Sequence, residues 1–299
     1  MAAHRYSVEA YRLRRIALEH YPNSAWLPCG YQGAPFELEA WRSRRLEAGS
    51  YPYLFVDGRY EKARVGSRVV SQGVLMVSAV RNDGFREIVA VEVADTESEA
   101  TYQDLFRSLK ARGLSGVELV VSDDHEGLKA AIARHFQEAA HQRCQVHYAR
   151  NLLGMVSFAK RKEFASDVRA IFAAHDREQA LAIASSVAQK WRKKGHKKVA
   201  DHIEEHIEEC LSCLAFPESH RRRVRTTNGL ERLNQEIKRR TRVVRIFPNR
   251  EACLRLVKAL AVEQSEEWVT GRRYLDMGGL EEHRHAGEPE VDGAVLMEC

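Results

Sequence analysis

Three carboxylates stand where a metal-dependent reaction could use them. Asp57 closes the apolar run Leu54-Phe55-Val56, Asp123 closes Val120-Val121-Ser122, and Glu231 lies early in the segment RTTNGLERLNQEIKRR. Carboxylate oxygens are hard ligands suited to ions such as magnesium. Two such ions roughly 3.5–4 Å apart can activate a water and neutralise charge on a leaving oxygen, which is what phosphodiester cleavage without a covalent intermediate demands. Each residue also has a structural alternative. Asp57-Gly58 is a turn dipeptide, Asp124 competes with Asp123, and Asn228 precedes Glu231 at a helix-capping spacing that would employ the carboxylate locally.

The surrounding pattern predicts elements able to position these groups. A helix is expected over Val8–His20, followed by a loop rich in proline and glycine. A short strand starts at Tyr53 and ends at Asp57-Gly58, Arg68–Val80 is valine-rich, and Glu87–Val93 alternates polar with apolar residues. Asn82-Asp83-Gly84 between the last two is a hairpin signal, because positive backbone dihedrals are tolerated there. Thr96 with Glu99 has capping-box spacing, and Tyr102, Leu105, Phe106 and Leu109 recur at helical intervals until Gly113. A strand over Val117–Val121, a helix over Gly127–Phe136 and an extended segment over His141–His147 follow. Three strands, helix, strand, helix, strand is the order of a ribonuclease-H-like α/β fold, a mixed sheet between helices. In such a sheet Asp57 and Asp123 share one edge, and the third carboxylate arrives on a helix packed across it.

Only helical periodicity runs from Tyr148 to Phe216, so a helical insertion (151–220) is expected to split the catalytic domain into 51–150 and 221–272. Helices are expected from Gly229 and, after Pro248, from Glu251 to Trp268. Residues 1–50 form a short N-terminal segment, and 273–299 are expected as a disordered acidic tail.

Charge is concentrated. Between Arg221 and Arg250 stand ten arginines and Lys238 against Glu231 and Glu236, which leaves the remainder of a chain of net charge +5 acidic. That density favours a polyanion partner over a merely solvated helix face. No apolar run approaches the roughly 18 residues of a membrane span, and the N-terminus lacks the apolar core of a secretory signal. A cytoplasmic protein without membrane association is expected. The six cysteines, Cys29, Cys144, Cys210, Cys213, Cys253 and Cys299, read as free thiols or metal ligands rather than a disulfide framework.

The stretches YPYLFVDGRY (51–60), VVSDDHEGLKAAI (120–132), QRCQVHYARNL (142–152) and RTTNGLERLNQEIKRRTRVVRIFPN (225–249) resemble the mutator-type transposases of bacterial insertion sequences. The resemblance covers Glu37 to Leu275. It implies a DDE triad on a ribonuclease-H-like fold interrupted by a helical insertion, acting with magnesium, or manganese as substitute, on double-stranded DNA at the ends of an element. Asp57, Asp123 and Glu231 match the triad, with Asp57 bridging two metals. The expected chemistry is hydrolysis followed by strand transfer, and pairing of two DNA ends implies a homodimer. Family members carry a longer N-terminal region with helical DNA-binding elements. An N-terminally truncated copy, acting as a DNA-binding regulator without catalysis, is therefore the alternative expectation.

The resemblance adds further residues. Cys144 and His147 (C-x-x-H) fall in a shared motif, which implies that His147 approaches the scissile phosphate or orients DNA while Cys144 packs beneath. Cys210 and Cys213 would complete a zinc site by spacing. Their CLSC reads as part of an amphipathic helix, where cysteine serves as a small hydrophobe, and zinc is not expected. Trp191, beside several lysines, could stack on an extruded base or anchor helices. Arg232, Arg239 and Arg242 recur on one side of the last basic helix, opposite Leu230, Leu233 and Ile237. With Arg225, Asn228 and Lys238 they are expected to hold DNA phosphates near Glu231.

Overall fold

A computed structural model describes residues 34–46 and 48–287. The helix expected at Val8–His20, Cys29, and the tail beyond residue 287 lie outside the described residues. After α1 (Ala34–Ser43) come the strands β1 (Tyr53–Val65), β2 (Arg68–Val80) and β3 (Arg86–Ala94), then α2 (Glu99–Ala111), β4 (Leu119–Ser122), α3 (Glu126–His135) and β5 (Ala140–Arg143). They form one five-stranded mixed sheet in the order β3-β2-β1-β4-β5. β1 pairs antiparallel with β2 and β2 with β3, whereas β1–β4 and β4–β5 are parallel. The fold is thus α/β, with helices on both sheet faces.

Side chains alternate across a strand, so each strand supplies two cores. Tyr53, Phe55, Met76, Leu119 and Val121 line one face, which α9 (Asn228–Val244) and α10 (Arg250–Thr270) cover through Leu230, Leu233, Ile237, Val257 and Ala261. Leu54, Val56, Leu75, Val77 and Val120 line the other, covered by Tyr102, Leu105 and Phe106 of α2 and Leu128 and Ala131 of α3. Full burial of each large apolar side chain contributes about 1.5–3 kcal/mol, and cover on both faces explains why the central strands read as continuous apolar runs.

Between β5 and α9 every described element is helical: α4 (Gln145–Gly154), α5 (Arg161–Phe172), α6 (Arg177–Lys193), α7 (Lys197–His206) and α8 (Glu218–Val224), with 3-10 turns at Phe158–Lys160, Ile207–Cys210 and Ser212–Ala215. A third core built on Tyr148, Phe164, Trp191 and Ile203 holds α4–α7 together.

Several expectations are corrected. Asp57-Gly58 is not a turn: β1 continues to Val65 because β2 pairs with it along its whole length, and the hairpin reverses at Gly66, whose φ is +61°. Gly58 instead allows close approach, since a Cβ there would lie 2.9 Å from the Glu97 carboxylate. Ser98, not Thr96, caps α2, its hydroxyl accepting from Thr101 N at 3.3 Å. The extended segment expected to reach His147 stops at Arg143. Cys144 N donates to Ser122 O at 2.7 Å, the end of the four-residue β4 leaves no further partner, and the chain turns into α4. The expected tail contains α11 (Gly278–Gly287). Leu275, Met277 and Leu280 anchor this stretch in the α9–α10 core, too few apolar positions to register as a period.

Candidate active site

Strand parity places the first two carboxylates. Asp57 follows Tyr53 and Phe55 onto the face covered by α9, and Asp123 follows Leu119 and Val121 onto the same face. Parallel pairing of β1 with β4 ends at Phe55↔Val121, and continuing that register sets Asp57 abreast of Asp123. Asp124, one residue on, points elsewhere. Its carboxylate is held by Arg143 at 2.6 Å and Lys129 at 2.7 Å.

The helix α9 supplies the third. Leu230, Leu233 and Ile237 press onto the sheet, which leaves Glu231 and Asn234, one turn apart, on the flank toward Asp57. Asn234 Nδ2 donates to Asp57 Oδ2 at 2.6 Å, and the Asn234 carbonyl accepts from Arg59. Thr227, not Asn228, occupies the cap position, and Glu231 N donates to its carbonyl at 3.0 Å. The Glu231 side chain therefore does not cap its helix; it faces the first turn of α4. There His147 Nε2 lies 3.0 Å and Arg150 3.7 Å from Glu231 Oε1. The His147 contact is a close ion pair without hydrogen-bond alignment, and Glu231 Oε1 is a buried oxygen with no donor. Cys144, the cap of α4, accepts from Thr227 N and Oγ1 at 3.4 Å each.

Electrostatics register that these groups are neighbours, although Asp57, Asp123 and Glu231 do not bring ligand oxygens within 4.8 Å of one another. Burial pushes the Asp57 carboxyl up to about 7; His147 and the Asn234 hydrogen bond oppose this, while Asp123 and Glu231 add to it. Cys144 and Glu231 beside it raise the His147 imidazole to about 10, against the effect of burial. Contact with His147 in turn holds Glu231 below the usual carboxylate range. Burial raises Glu97, as does Asp123, and Tyr102 OH donates to Glu97 Oε2 at 3.2 Å. Sequence reasoning missed Asn234 and Glu97. Asn234 was discoverable as the residue one turn after Glu231 on the same flank, whereas Glu97 comes from a loop whose path only the fold sets.

Asp57, Asp123 and Glu231 offer hard oxygen donors of the type a divalent ion takes, and the buried Asp57 carboxyl, raised to about 7, is the group whose charge such an ion would offset. Cys144, His147 and Glu231 also offer donor atoms within 4.8 Å of one another, the one such group among the described residues. Cys210 and Cys213 are not in it. Their CLSC lies in two 3-10 turns rather than an amphipathic helix, and burial raises both thiols. Cys144, Cys210, Cys213 and Cys253 are all free and buried.

The expected DNA contacts divide. Asn228, Arg232, Lys238, Arg239 and Arg242 are exposed, and Arg225 is half-buried. Arg239 is engaged by Glu236 at 2.7 Å. Trp191 is corrected: it is fully buried, packs on Phe164 at 4.6 Å between ring centroids, and donates Nε1–H to Asp167 at 2.7 Å. It anchors the helical core and offers no face to a base. No helix among the described residues is long and apolar enough to cross a membrane.

Residues 34–271 match the family described as "Transposase, Mutator family". The chain is 44% identical over 247 residues to the transposase for insertion sequence element ISRM5 of Rhizobium meliloti (strain 1021), covering 83% of the chain and 62% of that protein. It is 45% identical over 240 residues to the transposase for IS406 of Burkholderia multivorans (strain ATCC 17616 / 249), covering 80% and 61%. It is 40% identical over 249 residues to the transposase for IS1081 of Mycobacterium tuberculosis (strain ATCC 25618 / H37Rv), covering 83% and 60%. The chain thus spans about three-fifths of the length of these relatives. By the extent of these matches, the chain belongs to the Mutator family of transposases.

Proposed function

We propose that the chain carries the catalytic region of a DDE transposase that cuts double-stranded DNA at insertion-sequence ends and joins it to a target, in the cytoplasm and as a homodimer pairing two ends. The observation that supports this reading is the buried Asp57 carboxyl, raised to about 7 by burial and by the nearby Asp123 and Glu231. A buried carboxylate with two half-buried acidic neighbours favours a nearby cation. The antiparallel β3-β2-β1 ladder, extended in parallel by β4 and β5 between two helical layers, supports a ribonuclease-H-like fold.

Asp57, Asp123 and Glu231 would hold magnesium, with manganese able to replace it. Bound there, divalent ions supply an activated water and neutralise the leaving oxygen. The chain does the rest. Asn234 fixes the Asp57 carboxylate by its 2.6 Å hydrogen bond. His147, a cation held by Cys144 and Glu231, faces the phosphate to be cut and orients its oxygens. Arg150 and the exposed arginines of α9 hold the flanking backbone. After hydrolysis the freed 3'-hydroxyl would attack a phosphate of the target strand, the new P–O bond forming as the bond to the target's own 3'-oxygen breaks and that oxygen leaves as a hydroxyl.

The test is nicking of a supercoiled plasmid carrying the element ends, with magnesium or manganese. Asp57→Asn, Asp123→Asn and Glu231→Gln should each lower the rate by roughly a thousandfold or more, while Asp124→Asn leaves it near wild type and Asn234→Ala loses roughly tenfold to a hundredfold, as for a hydrogen bond to a charged group. Retained nicking by Asp57→Asn, or loss in Asp124→Asn but not in Asp123→Asn, would overturn the assignment.

A further inference from the structure

Around the first turn of α9 from Glu231 opens a cleft of about 630 Å³ that the catalytic group does not use. Its charge is one-sided. Arg86, Arg222, Arg223 and Arg232 line it against a single carboxylate, Glu267. The Arg86 guanidinium lies over Trp268 at 3.5 Å and Tyr274 at 4.4 Å, and Arg223 approaches Tyr274 at 5.0 Å. Arg86 Nε is buried with no hydrogen-bond partner.

The placement of Arg86 is electrostatically costly in isolation. Its guanidinium touches Gly229 so closely that any Cβ there would collide with it. Gly229 belongs to the first turn of α9, where the helix presents its positive end and free N–H groups, and Thr227 supplies no side-chain cap. A cation against the positive end of a helix, with Arg223 and Arg232 near enough to disfavour its charge, is offset within the chain only by the rings of Trp268 and Tyr274, and an anion joining them would relieve the remaining cost. Burial, with Arg223 and Arg232, pushes the Arg86 guanidinium down to about 10 against the opposing effect of Tyr274. Aromatic rings on one side and amide donors on the other leave the open side of the guanidinium for phosphate oxygens.

We propose that this cleft is a phosphate-binding pocket that holds a backbone phosphate of the DNA strand beside the one cut at Asp57, Asp123 and Glu231, so that Arg86, Arg222, Arg223 and Arg232 set the register of the scissile phosphate. The proposal rests on the catalytic reading above. Arg232 directly follows Glu231, about 100° further round the helix, so a strand crossing the start of α9 meets the pocket and the carboxylates in succession.

The experiment is fluorescence anisotropy of the full chain with a short fluorescein-labelled duplex of arbitrary sequence, over about 50 to about 200 mM salt. Arg222 and Arg223 are exposed, so the double variant Arg222→Gln/Arg223→Gln keeps the fold, and circular dichroism verifies this for Arg86→Gln. The control is Arg192→Gln, whose guanidinium already pairs with Asp201 and Glu204. Both pocket variants should lose roughly tenfold in affinity, and their plots of log affinity against log salt should flatten by about 0.9, one phosphate contact. Affinity and slope equal to those of Arg192→Gln would overturn the proposal. So would a tryptophan-emission response to inorganic phosphate alone with duplex binding unaltered in the variants, which would assign the pocket to free phosphate. Nicking by Asp57→Asn is read separately: its persistence removes the catalytic reading, whereas unchanged slopes remove the pocket alone.

Discussion

Asp57 is a carboxylate the fold holds at a cost. Its folded value lies near 7 and its ordinary value is 3.8, so folding binds the proton more tightly than the unfolded chain does. The stabilising contribution of the protonated form is complete below pH 4 and is lost as pH rises through 7, a change of order 4 kcal/mol at most. In metal-free protein, Asp57→Asn should therefore melt above wild type at pH 8 and close to it at pH 4. Magnesium at pH 8 should raise the wild-type Tm more than that of the variant. A variant that is less stable at pH 8 would show that the buried charge is already compensated within the chain.

At the scale of elements, α9 positions most of the site and ends under strain. Arg245 has φ +61° and ψ −53°, and Ile246 N donates to Val244 O at 2.7 Å, a γ-turn of the rare positive-φ form. The turn directs Phe247 back to β1, where it donates to Lys62 O at 2.8 Å and is buried. Glycine adopts this geometry without a Cβ penalty. Arg245→Gly should raise the stability measured in urea by about 1 kcal/mol with no change in m. An unchanged or lowered midpoint would mean that the side chain of Arg245 compensates for the strain.

For the molecule as a whole, the question is how the helical core is tied to the sheet. Gln142, fully buried on β5, donates to Arg143 O at 2.7 Å and Cys210 O at 2.8 Å and accepts from Cys213 N at 2.7 Å. Gln145 adds a bond to Cys210 O at 2.9 Å. These amides fasten the 3-10 turns that follow α7 to the edge of the sheet that leads into α4 and His147. Gln142→Ala leaves buried backbone groups unpaired and should cost about 2–4 kcal/mol. By hydrogen exchange, Ile207–Ala215 should open before β1 and β4. Uniform loss of protection across both would show that the sheet and the helical core unfold as one unit.

The sequence by itself determined the alternation of apolar residues, hence the five strands, the helices that cover them and the parity that sends Asp57 and Asp123 to one side. It also contained the basic segment around Glu231 and the motifs of the family. These are local properties, fixed by side-chain periodicity and short spacing. Long-range pairing decided the remainder. The length of β2 carried β1 through Asp57-Gly58, the short β4 ended β5 and put His147 on a helix, and packing on Phe164 and Asp167 buried Trp191. That Asp123 rather than Asp124 neighbours Asp57 follows from the parity of β4 and from the ion pairs of Asp124 with Arg143 and Lys129. The arginine cleft was equally invisible, because Arg86 comes from β3, Arg222 and Arg223 from α8, and Trp268 from α10. Only closure of the chain over that sheet edge brings them to the start of α9.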